Sequence, residues 1–378
     1  MLRPSEITLG EAFLANEIDV EGDLISVFAM AEYIFHRPRG RRQRALEAVS
    51  QAASGVARWW REGMRHSVER DRAAISHHYD QPVEFYRPWL GESLVYSCGY
   101  FRQADDALAT AQENKLELIC RKLRLGRDDR FLDIGCGWGS LVLHAAARHD
   151  VYARGITISR EQSAVAASRI AAQQRTQSCA VELLDYREAL GKFGSFDKIS
   201  SVGMFEHVGV KKLPEYFRTV YEMVRPGGVF LNHGIARAEG AAERDARFPA
   251  LRRIPVLRGL RSPSFIDRYV FPDGELVTLI DAMRAAEAAG FEVRDVENLR
   301  EHYELTLRAW VEGMKKNSEM LLRQVSEVTY RTWLVYMAGC AASFRRGDIA
   351  VYQMLLSRPD RGESRLPLTR EGCDLAHR

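Results

Sequence analysis

The 378-residue chain is 46% hydrophobic and 28% charged, ordinary for a globular protein with room for one large α/β domain and a smaller appendage. Its net charge of +3 gives no argument for nucleic acid, and no apolar run approaches the roughly 20 residues that span a bilayer. Residues 1–6 lack the apolar core of a signal peptide, and the scattered cysteines (Cys98, Cys120, Cys136, Cys179, Cys340, Cys373) form no CxxC pair, so neither a zinc site nor a disulfide framework is expected; reduced thiols in a cytosolic enzyme are.

Residues 1–36 read as short helices. In 37–72 ten arginines face four acids, with Trp59 and Trp60 among them. A basic helix with tryptophans suits an anionic membrane surface; the alternative is a solvated helix whose arginines lie over a core. Residues 1–75 are therefore expected to form a helical, lipid- or membrane-associated region. From about 105 onward helix and strand alternate, which predicts a parallel sheet within a domain spanning 76–357. Candidate strands cover 130–134, 152–158, 180–184, 198–204, 229–233 and 291–295, with helices at 160–174 and 213–224. Arg225-Pro226-Gly227-Gly228 reads as a helix stop and turn. An arginine-rich insertion at 237–268 is longer than an ordinary connection and reads as a lid or binding element. Helices near 303–325 and 327–346 and the segment 349–356 complete the domain. The tail, 358–378, is polar and expected to be mobile.

Phe131-Leu132 leads into Asp133-Ile134-Gly135-Cys136-Gly137-Trp138-Gly139, which places glycines between a buried strand and a helix. Glycine allows the tight turn and a close ligand approach. A dinucleotide fingerprint would require glycine at 140, where Ser140 stands; acid-x-Gly-x-Gly-x-Gly fits S-adenosylmethionine better. After the next strand, Thr157 and Gln162 stand where many nucleotide sites carry a carboxylate. Asp185-Tyr186 ends the third strand as a clamp for adenine, although Asp185 could equally cap the following helix.

Several segments together resemble the cyclopropane-fatty-acyl-phospholipid synthase family, which includes the mycolic acid cyclopropane synthases. They are His78-Tyr79-Asp80, the run from Tyr96 to Phe101, Leu132 to Gly139, Thr157 to Gln162, Gly203 to Gly209, Ile266 to Pro272 and His302 to Leu307. The resemblance runs in order from about residue 8 to 356. It implies a Rossmann-like S-adenosylmethionine-dependent methyltransferase fold, a mostly parallel sheet with helices on both faces, beside a small helical N-terminal region. It also implies transfer of a methyl group to a cis double bond of a phospholipid acyl chain, with a bicarbonate ion near the transferred methyl. Matched motif by motif, the bicarbonate ligands would be Cys98, Glu206, His233, the backbone of Ile235, and Tyr303. The cofactor contacts would be Tyr79, Tyr96, Ser97, Asp133, Gly135, Gly137, Thr157, Ile158, Gln162, Asp185 and Tyr186. Expected partners are unsaturated phospholipid chains at the inner membrane surface, with peripheral attachment there and a homodimer left open.

The implied chemistry accounts for these residue types. An alkene needs no strong base to attack a sulfonium methyl, and the resulting carbocation loses a very acidic proton before the ring closes. Glu206 can accept a hydrogen bond from bicarbonate, while His233 and Tyr303 can donate to it. Aromatic rings such as Tyr303 stabilise a passing cation by about 0.5–2 kcal/mol. Each residue also has a plainer reading: Cys98 as a small core residue, His207 as a structural histidine, and Tyr303, Leu307, Trp310 and Met314 as a core-facing stripe. Two departures from the family pattern stand out. Its lipid-binding N-terminal domain normally starts earlier than the Leu9-Gly10-Glu11-Ala12 block here, so a truncated appendage is expected. Asn232-His233-Gly234-Ile235 replaces the usual Leu-His-Thr-Ile, which would set a smaller residue beside the bicarbonate site. Methyl- or methylene-branched products, or transfer to a small amine, remain alternatives.

Overall fold

The computed structural model describes residues 6–35, 81–239 and 276–373. The basic stretch with Trp59 and Trp60, Tyr79, and most of the 237–268 insertion lie outside the described residues. Helices α1 (Glu6–Leu14), α2 (Leu24–Phe35), α3 (Val83–Leu90) and α4 (Leu108–Leu123) come first among the described elements. Alternation then begins: β1 (Arg130–Ile134), α5 (Ser140–Arg148), β2 (Tyr152–Thr157), α6 (Arg160–Ala172), β3 (Cys179–Leu183), α7 (Tyr186–Phe193) and β4 (Phe196–Val202). After two short 3-10 turns come α8 (Leu213–Met223), β5 (Val224–Arg237), α9 (Leu279–Ala288) and β6 (Glu292–Asn298). The chain closes with α10 (Arg300–Lys316), α11 (Ser318–Leu322), α12 (Glu327–Arg346) and β7 (Ile349–Ser357).

The seven strands form one sheet in the order β3-β2-β1-β4-β5-β7-β6. The pairs from β3 through β5 are parallel, and β7 runs antiparallel to both β5 and β6. Side chains alternate between the two faces with period two. Along β1, Leu132 and Ile134 pack with Phe217, Val220 and Phe230, whereas Phe131 packs with Leu141, Val142 and Leu231. Helices therefore cover both faces, as parallel strands buried on each side require. The expected mostly parallel, doubly covered sheet is the one found.

A third core joins α3, α10 and α12 to α1 and α2 through interlocking rings. Phe85 meets Trp333 at 5.6 Å and Trp89 meets Trp310 at 5.8 Å between centroids, both edge-on. Burial of such rings contributes on the order of 2–3 kcal/mol each, and edge-on contact favours their quadrupoles. This aromatic layer joins α3, α10 and α12, and Arg331 on α12 ties α1 to it by donating to Phe13 O at 3.1 Å and to Asn16 Oδ1 at 2.6 Å.

Three sequence expectations change. The turn at 225–228 lies inside β5, not before it: Val224 pairs with Phe196 and Val229 with Lys198, so four residues bulge opposite Asp197. The helix expected over 303–325 breaks at Asn317, whose side-chain amide donates to the carbonyls of Gly313 (2.8 Å) and Pro88 (3.1 Å) and so competes with the helix ladder. The described part of the tail is tied down. Arg358 donates to the carbonyls of Tyr221 and Val224, each at 2.8 Å, and Arg124 donates to that of Glu371 at 2.7 Å. All six cysteines are free and buried. No described helix is long and apolar enough to cross a membrane.

Candidate active site

Strand order reverses between β1 and β4, and open α/β sheets bind ligands at such a switch, outside the strands' carboxyl ends. A cleft of about 1270 Å³, its open mouth included, lies there. Gly135, Gly137 and Gly139 carry φ of 76°, 54° and 80°, values that favour glycine and bend the chain from β1 into α5. At Gly135 a Cβ would stand 3.0 Å from that of Met204, so the turn and the loop after β4 meet across bare backbone.

Every described residue of the expected cofactor set lines this one cleft: Tyr96, Ser97, Asp133, Gly135, Gly137, Thr157, Ile158, Gln162, Asp185 and Tyr186. The polar ones are already organised. Thr157 Oγ1 donates to Gln162 Oε1 at 2.8 Å, and Ser200 Oγ donates to Asp133 Oδ1 at 2.6 Å. Burial raises the Asp133 carboxyl to about 7, against the opposing Ser200 hydrogen bond and Lys115 charge. Asp185 does cap α7, accepting the Arg187 N–H at 3.0 Å, and the Arg187 guanidinium grips both its oxygens. It thus holds its cap role and its place on the wall together.

Sequence reading missed part of the wall: Lys115, Trp138, Arg187, Met204 and Lys212 line the cleft, and so does His207, read there as purely structural. Lys115 is buried and donates to Ser97 Oγ at 2.9 Å; burial lowers its ammonium to about 8. A lysine inside an amphipathic helix carries no local signal of this position.

The expected bicarbonate ligands are not on the cleft wall; Glu206 and His233 lie at the end of β5. Val202 of β4 pairs with His233, which sets the imidazole beside the loop carrying Glu206. Glu206 Oε1 accepts the Ile235 N–H at 2.6 Å, while Oε2 and His233 Nε2 are buried without a protein partner among the described residues. Glu206 as a residue is only partly buried, but its carboxylate is sealed, and burial raises it to about 7. His233 is driven down to about 3, first by burial and then by the Lys115 and Lys122 charges, so the ring is neutral. Gln353 on β7 donates Nε2 to His233 Nδ1 at 3.2 Å; with the amide so oriented, the ring proton lies on the unpartnered Nε2.

Cys98 and Tyr303 lie in the adjoining helical layer. The Leu299 N–H donates to Val351 O, and Val351 pairs with Ile235 across β7 and β5. The Cys98 thiol reaches the carbonyls of Gly99 (3.2 Å) and Leu299 (3.8 Å), and burial pushes it up, so it is a protonated donor. Tyr303 sits one turn into α10, its ring 4.6 Å from Phe344 and 6.0 Å from Trp310. Thr306 accepts the Gly99 N–H at 2.9 Å and His302 Nδ1 that of Phe101 at 3.1 Å, which pins the Cys98 segment to α10.

Two expectations are revised. The Ile235 backbone, expected among the anion ligands, donates its N–H to Glu206. Gly234 does not open space beside His233, because successive strand residues face opposite sides. A Cβ there would lie 2.1 Å from the Phe205 ring, so the missing side chain seats Phe205, the neighbour of Glu206.

A family profile described as mycolic acid cyclopropane synthetase matches residues 66–354. A probable fatty acid methyltransferase of Pseudomonas putida is 40% identical over 98% of this chain and 87% of its own. Cyclopropane-fatty-acyl-phospholipid synthase of Escherichia coli K12 is 36% identical over 74% of this chain and 66% of its own. The cyclopropane synthase MmaA2 from Mycobacterium tuberculosis superimposes with a TM-score of 0.67 at 30% identity, over 75% of this chain and 97% of its own. The mycolic acid cyclopropane synthase CmaA1, solved with SAH and CTAB, gives 0.67 at 31% identity over the same two shares.

Proposed function

The chain belongs to the mycolic acid cyclopropane synthetase family, and from that premise we propose that it is an S-adenosylmethionine-dependent methyltransferase that converts cis double bonds of phospholipid acyl chains into cyclopropanes at a membrane surface. The observation that carries the reading is that two buried atoms at the end of β5, Glu206 Oε2 and His233 Nε2, have no hydrogen-bond partner among the described residues. Buried polar atoms without partners are costly, and such atoms mark a place for a polar guest.

When bound in the cleft, S-adenosylmethionine would supply an electrophilic methyl group. The alkene's π electrons would form the new carbon–carbon bond as the sulfonium–methyl bond breaks and S-adenosylhomocysteine leaves, and the cationic chain would then give a proton from the added methyl to a base as the ring closes. Bicarbonate, when bound, supplies a weak base adequate for so acidic a proton. The residues fit such an anion: neutral His233, with Nδ1 accepting from the Gln353 amide, would offer an Nε2–H, and the buried Glu206 carboxyl, raised to about 7, can accept from or donate to an oxygen. Tyr303, packed against Trp310 and Phe344, would offer a ring to a passing cation, and that apolar layer would exclude water that captures it.

The test incubates the full chain with vesicles of cis-unsaturated phospholipid and methyl-labelled S-adenosylmethionine, then weighs the acyl chains. A cyclopropane adds a CH₂ mass and survives hydrogenation as a ring; unmodified chains would sink the reading. A methyl- or methylene-branched chain would keep the transfer and replace the ring closure.

A further inference from the structure

On the side of α4 facing α5, Cys120, His144 and His149 offer metal-ligating atoms that all lie within 4.8 Å of one another. Glu117, one turn earlier on α4, sets Oε2 between the imidazoles, 3.1 Å from His144 Nε2 and 3.2 Å from His149 Nε2. The thiol is fully buried, while the side chains of His144, His149 and Glu117 are 11%, 17% and 23% exposed. The cluster therefore has a sulfur floor and a solvent mouth through which an ion can enter.

We propose that Cys120, His144, His149 and Glu117 form a structural site for a divalent transition metal, with zinc the best match. Thiolate and two imidazoles supply three donors of the kind zinc takes, and the Glu117 carboxylate beside both imidazoles can turn in as a fourth. Tetrahedral bonds of about 2.0–2.3 Å place donors roughly 3.3–3.8 Å apart, so the Cys120, His144 and His149 atoms need to draw in by up to about 1.5 Å around an ion. A carboxylate bridge between two helices with a small core thiol behind it is the plainer reading of the same contacts, and metal binding separates the two. Neighbouring cations are neutralised locally: Arg121 Nε lies on Glu117 Oε1 at 2.8 Å, and Arg148 on Glu113 at 3.0 Å. On binding, the Cys120 proton leaves to solvent and the metal takes its place.

The site would staple two helices that carry the walls of the cleft. Gln112 on α4 donates to Ser97 O at 2.8 Å and Lys115 to Ser97 Oγ at 2.9 Å, while α5 starts directly after Gly139. Widely separated cysteines and histidines carry no local zinc spacing, which is why the sequence reading found none.

The experiment strips the full chain with a chelator and titrates it with Co²⁺. One equivalent should bind, with thiolate-to-cobalt charge-transfer absorption and tetrahedral d–d bands that Zn²⁺ bleaches. Cys120→Ser should remove the charge-transfer band. His149→Gln, just beyond the end of α5 and away from the core, should weaken binding at least tenfold if Cys120→Ser does not fold. Zn²⁺ should raise the melting temperature by roughly 5 °C, and not in His149→Gln. Absence of the thiolate band, or affinity unchanged in His149→Gln, would overturn the proposal.

Discussion

The open cleft beside β1 and the sealed group at the end of β5 are built on opposite principles. In the cleft, polar side chains are paired in advance: Thr157 with Gln162, Asp133 with Ser200, Asp185 with Arg187. A ligand there meets a finished wall, and the glycine turn provides room. At β5 the pairing stops short. Glu206 Oε1 is held by Ile235 and His233 Nδ1 by Gln353, yet the other polar atom of each side chain is buried with no partner among the described residues. A satisfied, open wall suits recognition of a large cofactor, whereas held side chains with unmet bonds suit a small polar guest at the point of chemistry. The difference teaches that affinity and turnover should separate by region.

The largest test of that separation is Glu206→Gln, which keeps the shape and the Ile235 bond. Turnover should fall roughly a hundredfold or more while S-adenosylmethionine affinity stays within about twofold. Lost cofactor binding with normal turnover at saturation would invert the comparison. Gly135→Ala should do the opposite. Its φ of 76° and a Cβ 3.0 Å from that of Met204 should raise the cofactor Kd by at least roughly tenfold, and saturating cofactor should restore most turnover. Binding calorimetry beside single-turnover kinetics reads both.

Gly234→Thr sharpens the boundary. Its side chain would displace Phe205 and shift Glu206, so turnover should drop about tenfold with cofactor affinity unchanged; equal turnover in a protein of wild-type circular dichroism would remove Gly234 as a positioning residue. The smallest effect is on stability. The folded Glu206 carboxyl, raised from 4.5 to about 7, holds its proton more tightly than the unfolded one. Its contribution is therefore most favourable below pH 4.5, declines as pH rises to about 7, and stays constant above. Glu206→Gln escapes that loss and should melt roughly 2–4 °C above wild type at pH 8 and level with it near pH 4.5. A constant offset across that range would mean the carboxyl is not buried uncharged.

Much of the cleft was legible because its parts are short-range. Asp133 to Gly139 is one turn, Thr157 and Gln162 straddle one helix start, and Asp185-Tyr186 opens another helix, so contiguous residue types report their own geometry. Gln353 was illegible, since only the antiparallel register of β7 sets it against His233, 120 residues away. Lys115 looked like any helical lysine until α4 turned it onto Ser97. The bulge at 225–228 reads locally as a turn, and only pairing with β4 makes it part of β5.

By itself, then, the sequence determined the alternation of helix and strand, the glycine turn and the family-matched chemical groups, because hydrophobic period, turn sterics and motif order are written in neighbouring residues. Tertiary structure alone decided which groups are satisfied and which are left wanting. That depends on burial and on partners brought from distant strands, which set Glu206 near 7, His233 near 3, and the thiol and imidazoles of α4 and α5 within one another's reach.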